Sequence, residues 1–397
     1  MRKHLLSLVL AAATVIGGGA LVGCRQESPA PAPAIENLPA QSFKREWGAN
    51  LELKDDTVDR VFVKEDLVFV YTKKNYAYGL NRGSGVVRFS DRVTDSRIPM
   101  HPPVVLKEHI VIPTNTTLEI YRRDAQKKER SFTPDSAPRT NASGWVGGSR
   151  VFFGVDSRGS GRVVAIELVP GQYKPVNQVW DLMAKTGVQI SAGPATLSGV
   201  VYAAFSDGQV FAVNADNRQS IWPPTSTGPT FQTFGPINAD LQVDDFGVYV
   251  PSTDSKFYCL DKTQGKEKWK YYAGAPLEST PAITATMVYL PVGGRGVVAI
   301  DKVNGPAIRE PKWVVKDAVK LVSEDEKYAY FQRKDNIIVA IEKASGEQRF
   351  TSKRTDLVAF GTNTKDATIY AATKDGQVLA ITPVLKPGGV GELALAE

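Results

Sequence analysis

Cysteine, histidine and methionine are scarce in this 397-residue chain, at two, three and four copies. Two cysteines, Cys24 and Cys259, are too few for a disulfide framework. The histidines, His4, His101 and His109, are scattered, and no carboxylate or cysteine joins them at metal-ligand spacing. Helical periodicity is missing as well: no segment repeats its apolar residues every 3.6 positions over a helix's length. No Gly-x-Ser-x-Gly turn is present, which excludes the nucleophile elbow of the serine hydrolases. Positive charge is not concentrated either. The net charge is +6, and the densest cluster, Lys127-Lys128-Glu129-Arg130, is broken by an acid and reads as a solvated turn. No nucleic-acid partner is expected on that ground.

One long apolar run does occur, from Leu5 to Val22, preceded by Arg2 and Lys3 and ending in Leu21-Val22-Gly23-Cys24. A positive start, an uncharged stretch and small residues before a cleavage point describe an export signal. Gly17 to Gly19 make it a weak permanent span, although an uncleaved anchor or a plain signal stays open. Leu-Val-Gly-Cys resembles a lipobox, the site at which bacterial lipoproteins are acylated and cut. That resemblance implies a signal peptide over 1–23 and a lipidated Cys24 as the first mature residue. Arg25 follows where an Asp would favour inner-membrane retention, so the outer membrane, facing the periplasm, is the expected location. Residues 24–41 continue with alternating Pro and Ala, a semi-rigid extended spacer of about 3.1 Å per residue.

The rest of the chain is repetitive. Val201-Tyr202-Ala203-Ala204 leads through Asp207-Gly208 to Ala212-Val213, and Ile369-Tyr370-Ala371-Ala372 leads through Asp375-Gly376 to Ala380-Ile381. Weaker copies begin at Val68, Ile110, Val151, Val248, Val288 and Ala329, so the units recur every 40 to 50 residues. Each holds two β-branched and aromatic runs around a polar turn, the mark of a hairpin. A second turn follows, as in Asp261-Lys262-Thr263-Gln264-Gly265, and ends on an aromatic, Trp269. Glycine in its fifth place suits a left-handed residue, while Arg218 stands there in the fourth copy and predicts a different turn. Four strands per unit predict a propeller blade, with the large aromatics wedged between neighbouring sheets.

Those inter-blade aromatics are Trp47, Phe89, Phe132, Trp180, Trp222, Trp269, Trp313 and Phe350, eight for eight blades. The last copy lacks an outer strand, since Pro383 and Gly388-Gly389 follow its hairpin, and Phe43-Lys44-Arg45-Glu46-Trp47 supplies the missing piece from the N-terminus. The expected architecture is an all-β, eight-bladed propeller over 42–385, closed by its N-terminal strand and followed by a tail over 386–397. Seven blades is the alternative if the divergent second copy is not one.

The motif Val-Tyr-x-x-x-x-Asp-Gly-x-x-x-Ala-(Ile/Leu)-Asp-x-x-x-Gly-Lys-x-x-Trp resembles the pyrroloquinoline-quinone-type propeller repeat, nearest at Phe257 to Trp269 and again at Asp375 to Ile381. The likeness spans nearly all of 42–385 and implies the fold far more firmly than a role. Within that group the lipobox, the chain length and the blade count resemble the BamB family of outer-membrane assembly lipoproteins. The resemblance implies a non-catalytic, monomeric scaffold without a cofactor, docking on envelope proteins of the BamA-type barrel-assembly complex. A scaffold or sensor with an unrelated envelope partner is the first alternative. A quinone-dependent oxidoreductase is the second. Quinone enzymes of this fold often carry adjacent cysteines, whereas Cys259 stands alone on an inner strand, in a place that suits a small buried apolar residue.

No catalytic, metal or cofactor residues are expected. The acidic pairs Asp55-Asp56, Asp244-Asp245 and Glu324-Asp325-Glu326 each precede a predicted strand, where solvated turns belong. Gly293-Gly294-Arg295-Gly296 runs into a strand rather than a helix, so it is a hairpin turn and not a phosphate cradle. Phe231, Phe234, Tyr271 and Tyr272 sit in inter-blade connections, either as partner anchors or as plugs between blades.

Overall fold

The computed structural model describes residues 42–123, 128–136, 138–144, 148–157, 159–168, 176–222, 231–307, 310–352 and 354–384. The signal segment, Cys24, the spacer, the tail 386–397 and Lys127 lie outside the described residues.

Among those residues the secondary structure is entirely strand, 32 strands in eight four-stranded antiparallel sheets. Seven blades follow chain order over residues 58–92, 104–132, 143–183, 195–232, 242–272, 282–315 and 318–351. The eighth takes its three inner strands from 357–384 and its outer strand, Ser42–Asn50, from the other end of the chain. Ser42 pairs with Val384 and Asn50 with Gln377, so the first strand runs the full length of the last. Eight blades are present, and the divergent second copy is one of them.

Middle strands carry unbroken apolar runs because both of their faces meet another sheet. Every residue of Leu67–Thr72 and of Ile369–Thr373 is buried. Outer strands are largely exposed instead, as in Val87–Arg92, where Phe89 is the one buried residue. The first strands of consecutive blades approach one another and therefore line the axis.

The core is eight separate clusters, each made by two neighbouring blades. Val61, Val68 and Val70 of the first blade join Tyr370, Ala372 and Val378 of the eighth, which closes the ring. Each of the eight aromatics named above belongs to a different cluster: Trp47, Phe89, Phe132, Trp180, Trp222, Trp269, Trp313 and Phe350 occupy the eight junctions in turn.

A recurring backbone device sets those rings. Phe89 lies opposite Gly79, Trp180 opposite Ala165, Trp269 opposite Cys259, Phe350 opposite Ala340 and Trp47 opposite Ala380. In each case the register shifts at the residue just before the aromatic, leaving one residue bulged. A bulge bends and twists its strand, which re-aims the next side chain. The second blade has the same shift, but there Arg130 stands opposite Ile120, and Phe132 pairs two residues further on with Leu118. Phe132 still packs between the second and third blades. Trp222 also departs from the pattern: the fourth blade's outer strand is Phe231–Gln232, and Trp222 precedes it, ahead of the undescribed residues 223–230.

Candidate protein-docking surface

The glycine-containing turn and the tryptophan of the preceding blade form one unit. The indole N–H of Trp47 donates to the Arg82 carbonyl at 2.9 Å, that of Trp222 to Lys262 at 2.9 Å, that of Trp269 to Lys302 at 3.0 Å and that of Trp313 to Lys343 at 3.0 Å. Gly85, Gly265, Gly305 and Gly346 of the same turns hold φ between 69° and 76°. A Cβ on any of them would lie 2.4 to 2.7 Å from the indole of the preceding blade. Glycine is thus required twice, for its dihedral and for the ring that covers it. Arg218 adopts φ 64° in the fourth blade, its N–H bonds to the Asn214 carbonyl at 2.9 Å, and Trp180 donates to Ala215 at 2.9 Å. The turn expected to differ there keeps the common geometry.

Small residues under the aromatics explain the buried thiol. Cys259 is fully buried beneath Trp269, where other blades have Gly or Ala. Burial pushes its thiol up to about 12, so it stays protonated and unreactive.

In each acidic group at least one carboxylate is structural rather than merely solvated: Asp56, Asp244, and both Glu324 and Asp325. Asp244 accepts the Tyr249 hydroxyl at 3.1 Å and the Phe246 and Gly247 amides, while Lys302 reaches its other oxygen at 2.9 Å. Asp325 accepts the Tyr330 hydroxyl at 2.9 Å, and Glu324 that of Tyr289 at 2.6 Å. Burial first, and these acids second, hold the three phenols far above their ordinary range. Asp56 caps the Thr57 amide at 2.7 Å. Among the described residues no three His, Cys, Asp or Glu side chains converge as metal ligands.

His101 is no idle loop residue. Its ring nitrogens face Asn141 at 3.1 Å and Asn115 at 2.8 Å, and Asn141 in turn donates to Asp240, which also accepts the Gly193 amide at 2.7 Å. This chain of contacts ties the second, third, fourth and fifth blades near the axis. Its members are far apart in sequence, so spacing could not reveal it.

A cleft of about 800 Å³ lies where the eighth blade meets the first, lined by Asn50, Asp56, Asp356, Thr373, Lys374 and Asp375. Its carboxylates are occupied: Asp356 pairs with Arg354 and Asp375 accepts the Thr373 hydroxyl.

Of the four aromatics expected in the connections, three lie on outer strands instead, Phe231 on Phe231–Gln232 and Tyr271 and Tyr272 on Glu267–Tyr272, and are at least partly absorbed by the fold. Phe231 packs edge-on against Tyr258 at 5.2 Å, Tyr271 is fully buried, and Tyr272 is 39% exposed. Phe234 is different, being 91% exposed. Its backbone is nonetheless fixed. The Phe234 amide donates to Asp254 at 3.1 Å, the Thr233 amide to Gly208 at 2.9 Å and the Thr233 hydroxyl to Gly235 at 2.6 Å. Tyr258 braces the same Asp254 at 2.6 Å, and the Lys256 ammonium lies 4.7 Å from the Phe234 ring centre. The loop holds a bare phenyl ring outward on a rigid base. Loss of burial forgoes about 2 kcal/mol for such a side chain, and the exposed contact with Lys256 offsets only part of it.

Fold, repeat and inter-blade tryptophans define a propeller of the pyrroloquinoline-quinone repeat type. The sequence matches the family described as outer membrane protein assembly factor BamB over residues 40–233 and 206–320, and the chain belongs to that family. Among solved structures, BamB from Moraxella catarrhalis superposes with a TM-score of 0.62 at 15% identity, covering 86% of this chain and 98% of that one. The computationally designed Ika8 protein gives 0.62 at 12% identity, over 86% of this chain and all of its own. The C-terminal WD40 domain of Sif2 gives 0.60 at 10%, over 88% and 100%. Likeness at these identities concerns the fold alone. No curated protein matches the sequence.

Proposed function

We propose that the chain is an exported, non-catalytic scaffold, lipid-anchored through Cys24 to the outer membrane, whose propeller docks on the periplasmic part of a barrel-inserting protein and assists outer-membrane protein assembly. Family membership supports the assembly role, and Leu21-Val22-Gly23-Cys24 supports the anchor. The observation that carries the docking reading is Phe234. An exposed aromatic on a hydrogen-bonded, preorganised loop is the form an interface anchor takes, because its ordering entropy is already met in the free protein.

The test is affinity purification of the tagged full chain from membranes, with the wild type beside Phe234→Glu. A barrel-inserting protein is expected with the wild type. Removing an anchor of about 2 kcal/mol should lower its recovery roughly 30-fold, while the melting temperature stays unchanged because the ring makes no core contact. Equal recovery of that partner by the variant, or its absence from the wild-type eluate, would overturn the reading.

A further inference from the structure

The loop that holds Phe234 outward lies against the turns that join the second and third strands of two blades. The Thr233 amide donates to the Gly208 carbonyl of the fourth blade and the Thr253 amide of the fifth blade to the Pro236 carbonyl, both at 2.9 Å. Those turns mark one face of the ring. The described chain enters at Ser42 and ends at Val384, and these two residues pair with each other. Their pair sits at the far end of Gln377–Val384, a strand whose near end adjoins the corresponding turn of the eighth blade, residues 374–376. Neither end of the described chain therefore crosses the face that carries Phe234.

Asp254 sets the local geometry. Its carboxylate accepts the Phe234 amide at 3.1 Å, the Lys256 amide at 3.0 Å and the Tyr258 hydroxyl at 2.6 Å, and its side chain is only 6% exposed. One buried acid thus fixes the backbone of Phe234 and of Lys256 together. The Lys256 ammonium lies 4.7 Å from the centre of the phenyl ring and 3.7 Å from Asp254 Oδ2. That second distance makes an ion pair but is too long for a hydrogen bond. An ammonium has three donors, and those of Lys256 meet no hydrogen-bond acceptor among the described residues. Solvent serves them in the free protein, since the side chain is 23% exposed.

Whatever covers the ring covers the ammonium as well, because the two are 4.7 Å apart. Taking a cation out of water without acceptors costs more than burying one phenyl ring returns. A partner offering an apolar pocket alone gains little here. Asp254 cannot make up the difference, as its oxygens already serve three other donors. A carboxylate on the partner can, because it accepts from the free donors and offsets the charge.

We propose that the Phe234 surface takes a partner element in which an apolar pocket has an aspartate or glutamate at its rim, and that Lys256 pairs with that carboxylate as Phe234 enters the pocket. The pairing rests on the docking reading given above and adds the partner's chemistry to it.

A carbodiimide joins an amine to a carboxylate in contact with it and leaves no spacer. Applied to membranes holding the tagged full chain, it should link Lys256 to an Asp or Glu of the co-purified protein, as read by peptide mass spectrometry. This link is read on the wild-type chain, so it does not depend on how a variant folds. Recovery of the partner should fall about tenfold in Lys256→Gln and hold in Lys256→Arg. Added salt should lower recovery more steeply for the wild type than for Lys256→Gln. Lys256 linked only to Asp254 of its own chain, equal recovery by Lys256→Gln, or equal salt slopes would overturn the carboxylate pairing while Phe234 stayed the anchor. Failure of the docking reading has a different signature: Phe234→Glu recovers as much partner as the wild type, or neither recovers any, and the pairing then falls with it.

Discussion

At the scale of single residues, the fold depends on positions where shape and backbone must agree. Gly305 is such a place, with φ 69° and a Cβ position 2.7 Å from Trp269 Cγ. Gly274 has a similar φ, 76°, and nothing within 4 Å. Gly274→Ala should therefore cost only the left-handed penalty, about 1 kcal/mol. Gly305→Ala must also displace an indole held by the Lys302 carbonyl, adding roughly 2 kcal/mol of overpacking. Urea unfolding should show the larger drop in midpoint for Gly305→Ala, with the slope unchanged in both. Equal losses would mean that the ring can move aside freely. Half of this was legible beforehand: the need for a left-handed residue can be read from the turn, but the ring that covers the glycine belongs to another blade. Arg218 shows the converse, since a residue that contradicts the turn's chemistry still adopts its dihedral, with Trp180 docked on the turn as elsewhere.

At the scale of elements, the repeats located every strand pair because alternating apolar runs and polar turns are local signals. The second strands begin at or within a residue of each predicted copy, from Leu67–Thr72 to Ile369–Thr373. Bulges were not legible, because nothing in Arg88 or Lys268 marks them as the unpaired residue. That is why Phe132 was read as an equivalent of Trp269 although the register gives the place to Arg130. The first strand was found by what the last blade lacked. Its pairing suggests a direct experiment. A chain that starts at Leu51 would leave the edge of Gln377–Val384 bare and remove Trp47 from the closing junction. Open strand edges recruit other chains. The shortened protein should run as dimers and larger species in size-exclusion chromatography and melt well below the parent. A synthetic peptide of residues 42–50 should restore the monomer. A shortened chain that stays monomeric and equally stable would show that the ring closes without this strand.

At the scale of the whole molecule, the closed ring gives two faces of loops and an axis, and function rests on what these present. Phe234's exposure could not be read from the chain, because it depends on which loops the ring brings together. Inner strands as short as Val104–Val105 and Ser143–Gly144 carry no periodic signal of their own. Under the proposed function, the surface at Phe234 and the anchor at Cys24 act on different quantities, and this separates them experimentally. The anchor contributes through effective concentration: a spacer over residues 24–41, about 55 Å long at ~3.1 Å per residue, keeps the propeller within reach of a membrane-bound partner. Cys24→Ser should release the protein from the membrane and lower partner recovery from cells, yet leave the Kd of the purified propeller for the purified partner unchanged. Phe234→Glu should weaken both. If Cys24→Ser remained in the membrane fraction, the lipid-anchor reading would fail. If it altered the purified Kd, the segment around residue 24 would have to belong to the interface itself rather than serve as its tether.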